Sequence, residues 1–347
     1  VGKQACIIGL GARTAVGYRA YASAVAVRAG ISRIQAHPYM IDKSGEPFMT
    51  ALHRPLEVHE RRKRILSLAT SAFDEVLEAL PPECKTRLPI YLGLPELGPL
   101  FTREDARWIS EGLAQHASPL CTPELAILTE GHASGMAGLE QAVAALRSGE
   151  AECCVVGGAD SFMDPDLLES LDEAGRVASS SNRWGFPPGE GAGWLAVCTA
   201  EFARRFKLKS LARVAGVATA QETHGMHTRT VCVGQGLAQA MREAAAKAGT
   251  PITRQYCDIN GERYREDEFS YAILRVPSAM FVNAVDYVAP TDCWGHTGAA
   301  TAPLLMMLPI ISEDRGFSPG PAPMVWCGSE SGLRGAAVLH FNQEVAR

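Results

Sequence analysis

Short apolar runs bounded by glycine alternate along this chain with longer segments in which apolar residues return every three or four positions. The first kind, rich in Val, Ile, Ala and Cys, predicts β-strands at Ala5–Leu10, Leu88–Gly93, Glu152–Gly157, Gly193–Cys198, Ala212–Ala218, Gln255–Ile259, Met324–Cys327 and Ala336–Phe341. The second predicts helices at Arg61–Leu80, Ser134–Ser148, Val233–Ala248 and Thr297–Ile311. A strand that is apolar on both faces has to be covered on both, so the pattern predicts an α/β fold with sheets held between helices.

The order of these elements repeats. The stretches "GHASGMAGLEQAVAAL" from Gly131 and "GHTGAATAPLLMMLP" from Gly295 each begin Gly-His, pass through small residues and become an apolar helix. Each leads to a strand, "CCVVGGAD" from Cys153 and "MVWCGSES" from Met324, at nearly constant spacing. Upstream, helix Arg61–Leu80 leads to "LPIYLGLPE" as helix Val233–Ala248 leads to "QYCDINGE". The expectation is a duplicated architecture, residues 1–204 and 205–347, whose two Gly-His helices meet at a pseudo-twofold axis and bring His132 and His296 together.

Composition narrows the function classes. With 347 residues, 47% of them hydrophobic and 20% charged, the chain has ordinary globular composition. Its net charge of -5, from 33 basic and 38 acidic residues, argues against a nucleic acid partner. The apolar start Cys6–Leu10 lacks the flanks of an export signal, and the strongly apolar run Leu304–Ile311 contains Pro309 and is too short to span a bilayer. A cytoplasmic protein with no membrane partner is expected. The ten cysteines are dilute and many sit in apolar runs, so they read as reduced, buried thiols. No Cys-x-x-Cys pair or His/Cys cluster with zinc spacing occurs, and neither metal nor cofactor is expected.

Several motifs, in order, resemble the β-ketoacyl synthases of the thiolase superfamily. "ACIIGLGARTAVG" is similar to that family's first strand and glycine turn, and "AALRSGEAECCVVGGAD" to the turn and strand after its catalytic helix. "NRWGFPPGEGAGWLAV" resembles its Gly-Glu-Gly-Ala-Gly strand turn, and "GHTGAATAP" its histidine motif. The resemblance implies a duplicated, five-layered α-β-α-β-α thiolase-like fold, usually dimeric.

The departures fall on the chemistry. Where the family carries Ala-Cys-x-Ser-Gly, this chain has Gly131-His132-Ala133-Ser134-Gly135, so His132 stands at the nucleophile's place. The family's first histidine lies in Asn-Ala-His-Gly-Thr; "INGERYREDE" occupies that place, and the simplest alignment puts Glu262 on the histidine. Thr291 stands where a lysine precedes the second histidine, which survives as His296. The glycine-rich loop that lends an N–H to the oxyanion hole is replaced by "GSESGLRG", with Gly328, Ser329 and Glu330. The segment between Gly93 and Gly131 is also shorter than in the family.

Decarboxylative condensation needs a thiolate to hold the acyl group and preorganised donors for the developing negative charge. Imidazole cannot simply replace the thiolate, because an acyl-imidazole is high in energy and hydrolyses readily. A carboxylate such as Glu262 or Glu330 beside a developing enolate adds repulsion. His132 therefore supports two readings. It acts as a general base on water with Glu262 orienting it, or it fills the cysteine's place and hydrogen-bonds to Glu262 or His296 in a buried network. Loss of three catalytic features favours the second. A His132–Glu262–His296 metal site ranks below both, Ser134 reads as a helix cap, and Cys293 as an inert thiol.

The function expected is that of a non-condensing synthase homologue acting as a partner or adaptor subunit. Chain-length-factor subunits of the family lack the cysteine and pair with a competent synthase, and shortened relatives accompany bacterial secretion effectors. The partners implied are a second copy, a related synthase or an effector, with acyl carrier protein or acyl-CoA as ligand; the run Arg61–Arg64 could dock an acidic carrier. The rival is an enzyme acting on acyl thioesters (hydrolase, acyltransferase or malonyl decarboxylase) through His132 and His296. A third reading, condensation with a thiol supplied from elsewhere, needs Cys293 or another cysteine at the helix start.

Overall fold

The structure is a computed structural model that describes residues 3–341. The chain first forms β1 (Ala5–Thr14), α1 (Ala20–Arg28), the hairpin β2 (Gln35–Ile41) and β3 (Pro47–Thr50), α2 (Arg61–Leu77), β4 (Leu88–Gly93) and α3 (Arg103–Ala117). It continues with β5 (Pro123–Leu128), α4 (Ser134–Ser148), β6 (Cys153–Ser161), α5 (Pro165–Glu173), β7 (Glu190–Thr199) and α6 (Ala200–Arg205). After it come β8 (Ala212–Gln221), α7 (Gln235–Ala248), β9 (Gln255–Cys257), α8 (Arg263–Ile273), β10 (Tyr287–Val288), α9 (Thr291–Trp294), α10 (Thr301–Asp314), β11 (Met324–Gly328) and β12 (Leu333–His340).

Ten strands pair in the order β10-β9-β11-β12-β8-β1-β7-β6-β4-β5. From the centre outwards, β1-β7-β6-β4-β5 on one side is matched by β8-β12-β11-β9-β10 on the other, the same permutation of chain order twice. Along the sheet the two sets of strands pair at β1 and β8 through Cys6 opposite Arg213 and Ile7 opposite Ala212, a short seam that leaves two five-stranded layers.

Alternation along the strands builds the layers. In β6, Cys153 and Val155 face the core under α2 and α3, while Cys154 and Val156 face the core around α4 and α10. In β11, Met324 and Trp326 face α7 and α8, while Val325 and Cys327 face the same central helices. The layers are helix, sheet, helix, sheet, helix, which bears out the thiolase-like expectation. All eight predicted strands and four predicted helices exist, β4 and α4 with the predicted bounds and the others with shifted ends. The hairpin β2–β3, β5, the short β10 and several helices were not read from the sequence.

The repeat itself needs one correction. Gly131 and Gly298, with φ of 66° and 50°, each open a short 3-10 turn that runs into α4 and α10; Gly149 and Gly316, also left-handed, end those helices. On this frame Ala299, not His296, is the counterpart of His132, and His296 belongs to the loop before the turn. The Gly-His likeness matched the two stretches three residues out of phase. The central helices touch at Gly135, where a Cβ would lie 2.8 Å from Pro303 Cδ.

Candidate active site

His132 sits in the turn before α4 and His296 in the loop before α10, so the two central helices aim their first turns at one point. Both rings are buried, and Nε2 of His132 lies 2.6 Å from Nε2 of His296. Backbone bonds fix the second ring: His296 N–H donates to Pro187 O at 2.8 Å, and Gly189 N–H donates to His296 O at 3.0 Å. Phe162 and Phe186 enclose it, with ring centroids 5.1 and 4.3 Å away.

The proton positions follow from the partners. Glu262 N–H donates to Asn260 Oδ1 at 3.0 Å, and Asn260 Nδ2 donates to the Glu262 carboxylate at 2.9 Å, which fixes the amide's orientation. Asn260 Nδ2 also donates to His296 Nδ1 at 3.2 Å. His296 therefore carries its proton on Nε2 and donates it to His132 Nε2, leaving His132 protonated on Nδ1. That Nδ1 is buried without a partner. Burial, reinforced by the nearby Arg265 charge, pushes His132 down to about 3, and burial together with His132 holds His296 well below the usual imidazole range. The pair is neutral, and neither ring offers a free basic nitrogen.

The surroundings are ionic and closed. Arg176 donates to both Glu262 oxygens at 2.8 and 3.2 Å and to Glu330 at 2.7 Å. Burial would raise the Glu330 carboxyl, but the Arg176 contact outweighs it and holds Glu330 at about 2. The loop after β11 has its N–H groups engaged internally: Gly328 donates to Asp258 at 3.0 Å, Ser329 to Leu333 O at 2.8 Å and Glu330 to Glu96 at 2.7 Å. At the start of α4, Ala133 N–H donates to Ser329 Oγ at 2.9 Å, and Ser329 donates to Glu130 O.

The other predicted residues take structural places. Ser134 accepts from Glu130 N–H at 2.9 Å and donates to Leu128 O at 3.1 Å, tying down the β5–α4 connection rather than capping a helix. Thr291 donates to Ile259 O at 3.0 Å. Glu262 does not orient His132: its carboxylate belongs to Arg176 and Asn260, and a guanidinium on that carboxylate also disfavours a metal there. The run Arg61–Arg64 is mostly neutralised, with Arg61 on Asp160, Arg62 and Lys63 on Glu60, and Arg64 on Glu190.

Cys293 lies in α9, its sulfur 4.0 Å from Val27 O, away from the start of α4. All ten cysteines are buried, and burial raises the thiols of Cys154, Cys293 and Cys327. Iodoacetamide at neutral pH is therefore expected to label the native protein no faster than partial unfolding exposes thiols. One cysteine alkylated much faster than the rest, seen by peptide mapping, would contradict this.

A cleft of about 540 Å³ reaches His132, lined among others by Arg61, Phe101, His132, Arg176 and Glu330. Sequence reasoning missed Asn260, Arg176 and Glu96. Asn260 was within reach: laying Asp258-Ile259-Asn260-Gly261-Glu262 on Asn-Ala-His-Gly-Thr with glycine on glycine puts Asn260, not Glu262, on the histidine. The contact with His296 agrees with that register.

Residues 123–203 match the beta-ketoacyl synthase N-terminal domain. A stretch of 71 residues, 18% of this chain, is 38% identical to the highly reducing polyketide synthase sorA of Penicillium rubens and spans only 3% of that protein. Among solved structures, a type II polyketide ketosynthase in complex with its acyl-carrier protein superposes with a TM-score of 0.81 at 14% identity, covering 98% of this chain and 99% of that one. The ishigamide ketosynthase/chain length factor gives 0.79 at 16% identity, covering 98% and 99%. The ketosynthase from module 6 of the bacillaene synthase of Bacillus subtilis 168 gives 0.79 at 14% identity, covering 98% of this chain and 72% of that one. The synthase match lies across β5, α4, β6 and β7, and the fold of these ketosynthases extends over nearly all the rest, so the chain resembles the β-ketoacyl synthase N-terminal domain over residues 123–203 and has the thiolase-like ketosynthase fold as a whole.

Proposed function

We propose that the protein is a non-condensing ketosynthase homologue that works through binding, as partner subunit of a competent synthase or as an adaptor for another protein such as a secretion effector. The observation that carries this reading is the hydrogen-bond inventory at the head of α4. His132 Nε2 is taken by His296, His296 Nδ1 by Asn260, and the N–H groups of Gly328, Ser329, Glu330 and Ala133 by internal acceptors. A condensing cycle requires a nucleophile and free donors for the thioester oxygen and the enolate. Thioester hydrolysis requires a base for water, and both imidazoles lack a free lone pair. His132, Glu262 and His296, with Ser134, Thr291, Gly328, Ser329 and Glu330, form in this reading a structural plug where relatives carry out chemistry. We take residues 1–204 and 205–347 as its two halves.

Ketosynthases solved with an acyl-carrier protein and with a chain length factor are among the folds it matches, which supports a synthase or carrier partner. The neutralised Arg61–Arg64 run gives no support to a carrier docking there. A soluble, cytoplasmic dimer, with itself or with a synthase, fits this role; no helix among the described residues is long and apolar enough to cross a membrane.

The test is incubation with malonyl and acyl thioesters of coenzyme A and of carrier protein, followed by intact-protein mass spectrometry and product analysis. The expected result is no adduct and no release above the protein-free rate, together with recovery of a stable partner from the native cell. Turnover that His132→Ala abolishes would overturn the binding reading in favour of a thioester enzyme.

A further inference from the structure

A second, larger cavity lies beside the β2–β3 hairpin. It measures about 780 Å³, within the range of small-molecule pockets, and no residue lining it also lines the cleft above His132. Consecutive residues at the end of β6 separate the two: Phe162 faces the cleft and Met163 the cavity.

Three features of its wall point to a ligand. First, Arg33 and Arg54 line it, both exposed, and neither side chain has an acidic partner among the described residues. The arginines at the cleft and the cavity floor, Arg61, Arg176 and Arg64, are all held by carboxylates. Glu57 is the lone acid facing these cations in the lining. Second, His37 Nδ1 accepts from Tyr39 N–H at 3.3 Å and from Met40 N–H at 3.1 Å, so its Nε2 carries the proton and is a donor. Third, Thr50 is 1% exposed, lines the cavity, and its hydroxyl has no hydrogen-bond partner. A buried hydroxyl left unpaired costs free energy that a bound polar group would recover. Met40, Leu52 and Met163 complete the wall with apolar surface.

We propose that this cavity binds a small amphiphilic anion, a phosphate or carboxylate head on a short apolar chain. The head meets the guanidinium groups of Arg33 and Arg54, whose forks match either oxyanion. The chain lies on Met40, Leu52 and Met163, and Thr50 supplies a hydrogen bond at the wall. This site is separate from the plugged centre and does not depend on how that centre is read.

Isothermal titration of the full chain with hexyl phosphate, hexanoate, inorganic phosphate and hexanol tests it. At least one six-carbon anion is expected to bind about ten-fold or more tightly than both inorganic phosphate and hexanol, because head and chain are each recognised. The ratio of hexyl phosphate to hexanoate identifies the preferred head. The double variant Arg33→Ala/Arg54→Ala is expected to weaken binding about ten-fold or more, and Thr50→Val about three-fold or more. The two arginines are exposed, so the double variant should keep the parent's ligand-free thermal midpoint, and raising the salt on the parent gives a readout without mutation. Binding that neither the double variant nor salt weakens overturns the proposal. So does inorganic phosphate or hexanol binding as tightly as the six-carbon anions, or the absence of binding by both anions.

Discussion

Lowering the pH from 7 to 5 is expected to remove about 2 kcal/mol of folding stability through His132 alone, and His296 adds to the loss in the same direction. The sign follows from proton uptake. In the unfolded chain both imidazoles titrate near 6.5, whereas in the folded protein burial holds His132 at about 3 and His296 well below its usual value. Below pH 6.5 the unfolded state binds two protons that the native state refuses, so stability present at neutral pH is lost as the pH falls, and for His132 the loss continues towards pH 3. His53, also pushed down by burial, acts in the same direction. Comparing urea midpoints at pH 7 and 5 stays above the ordinary carboxylate range, where Glu330 would add its own acid lability. The double variant His132→Phe/His296→Phe should flatten the profile by at least the ~2 kcal/mol assigned to His132. A parent protein equally stable at both pH values would mean that the pair takes up protons in the native state.

That result bears on function through the same protons. A general base at neutral pH would need a nitrogen with an open lone pair and a pKa near the working pH. The pair has neither, because the amide of Asn260 sets the tautomer of His296, and His296 in turn sets that of His132.

Most of the architecture was legible because each central strand is apolar on both faces and each central helix is bounded by glycine. The strands of β6 and β11 and the helix α4 could be read directly from the chain. What escaped lies where the periodic signal is weak. β5 is an edge strand with Glu124 and Ile127 exposed, and β10 has two residues. The hairpin β2–β3 leaves Tyr39 and Ile41 in solvent, so its alternation is blurred. The meeting of His132 and His296 was foreseen, but through a repeat register three residues out of phase. The turns decide the register: Gly131 and Gly298 each open the 3-10 turn that runs into a central helix, whereas Gly295, also positive in φ, lies three residues before it, a difference that the letters Gly-His do not carry. The Arg176 bridge to Glu262 and Glu330 joins residues from three distant segments. No local spacing encodes such a bridge.

Arg64→Ala is expected to destabilise the protein by about 3–5 kcal/mol, because it leaves a carboxylate buried without its counter-charge. Arg64 reaches Glu190 with two bonds, Nη2 to Oε1 at 2.6 Å and Nε to Oε2 at 2.8 Å, and the two side chains are 4% and 0% exposed. It also donates to Leu56 O at 3.0 Å and to Val58 O. Glu190 accepts in addition from His53 N–H and from Ser161 Oγ, each at 2.7 Å. The pair therefore fastens the start of α2, the segment before it and the ends of β6 and β7 to one another, at the point where Phe162 and Met163 divide the two cavities. Glu190→Gln removes the charge while keeping one acceptor oxygen, enough for His53 N–H, so the double variant Arg64→Ala/Glu190→Gln should lose less than the two single losses added, by about 1–3 kcal/mol. Urea unfolding of the four proteins closes the cycle. If the losses simply add, the guanidinium acts through its carbonyl contacts, and the ion pair contributes no net anchoring to the wall between the cavities.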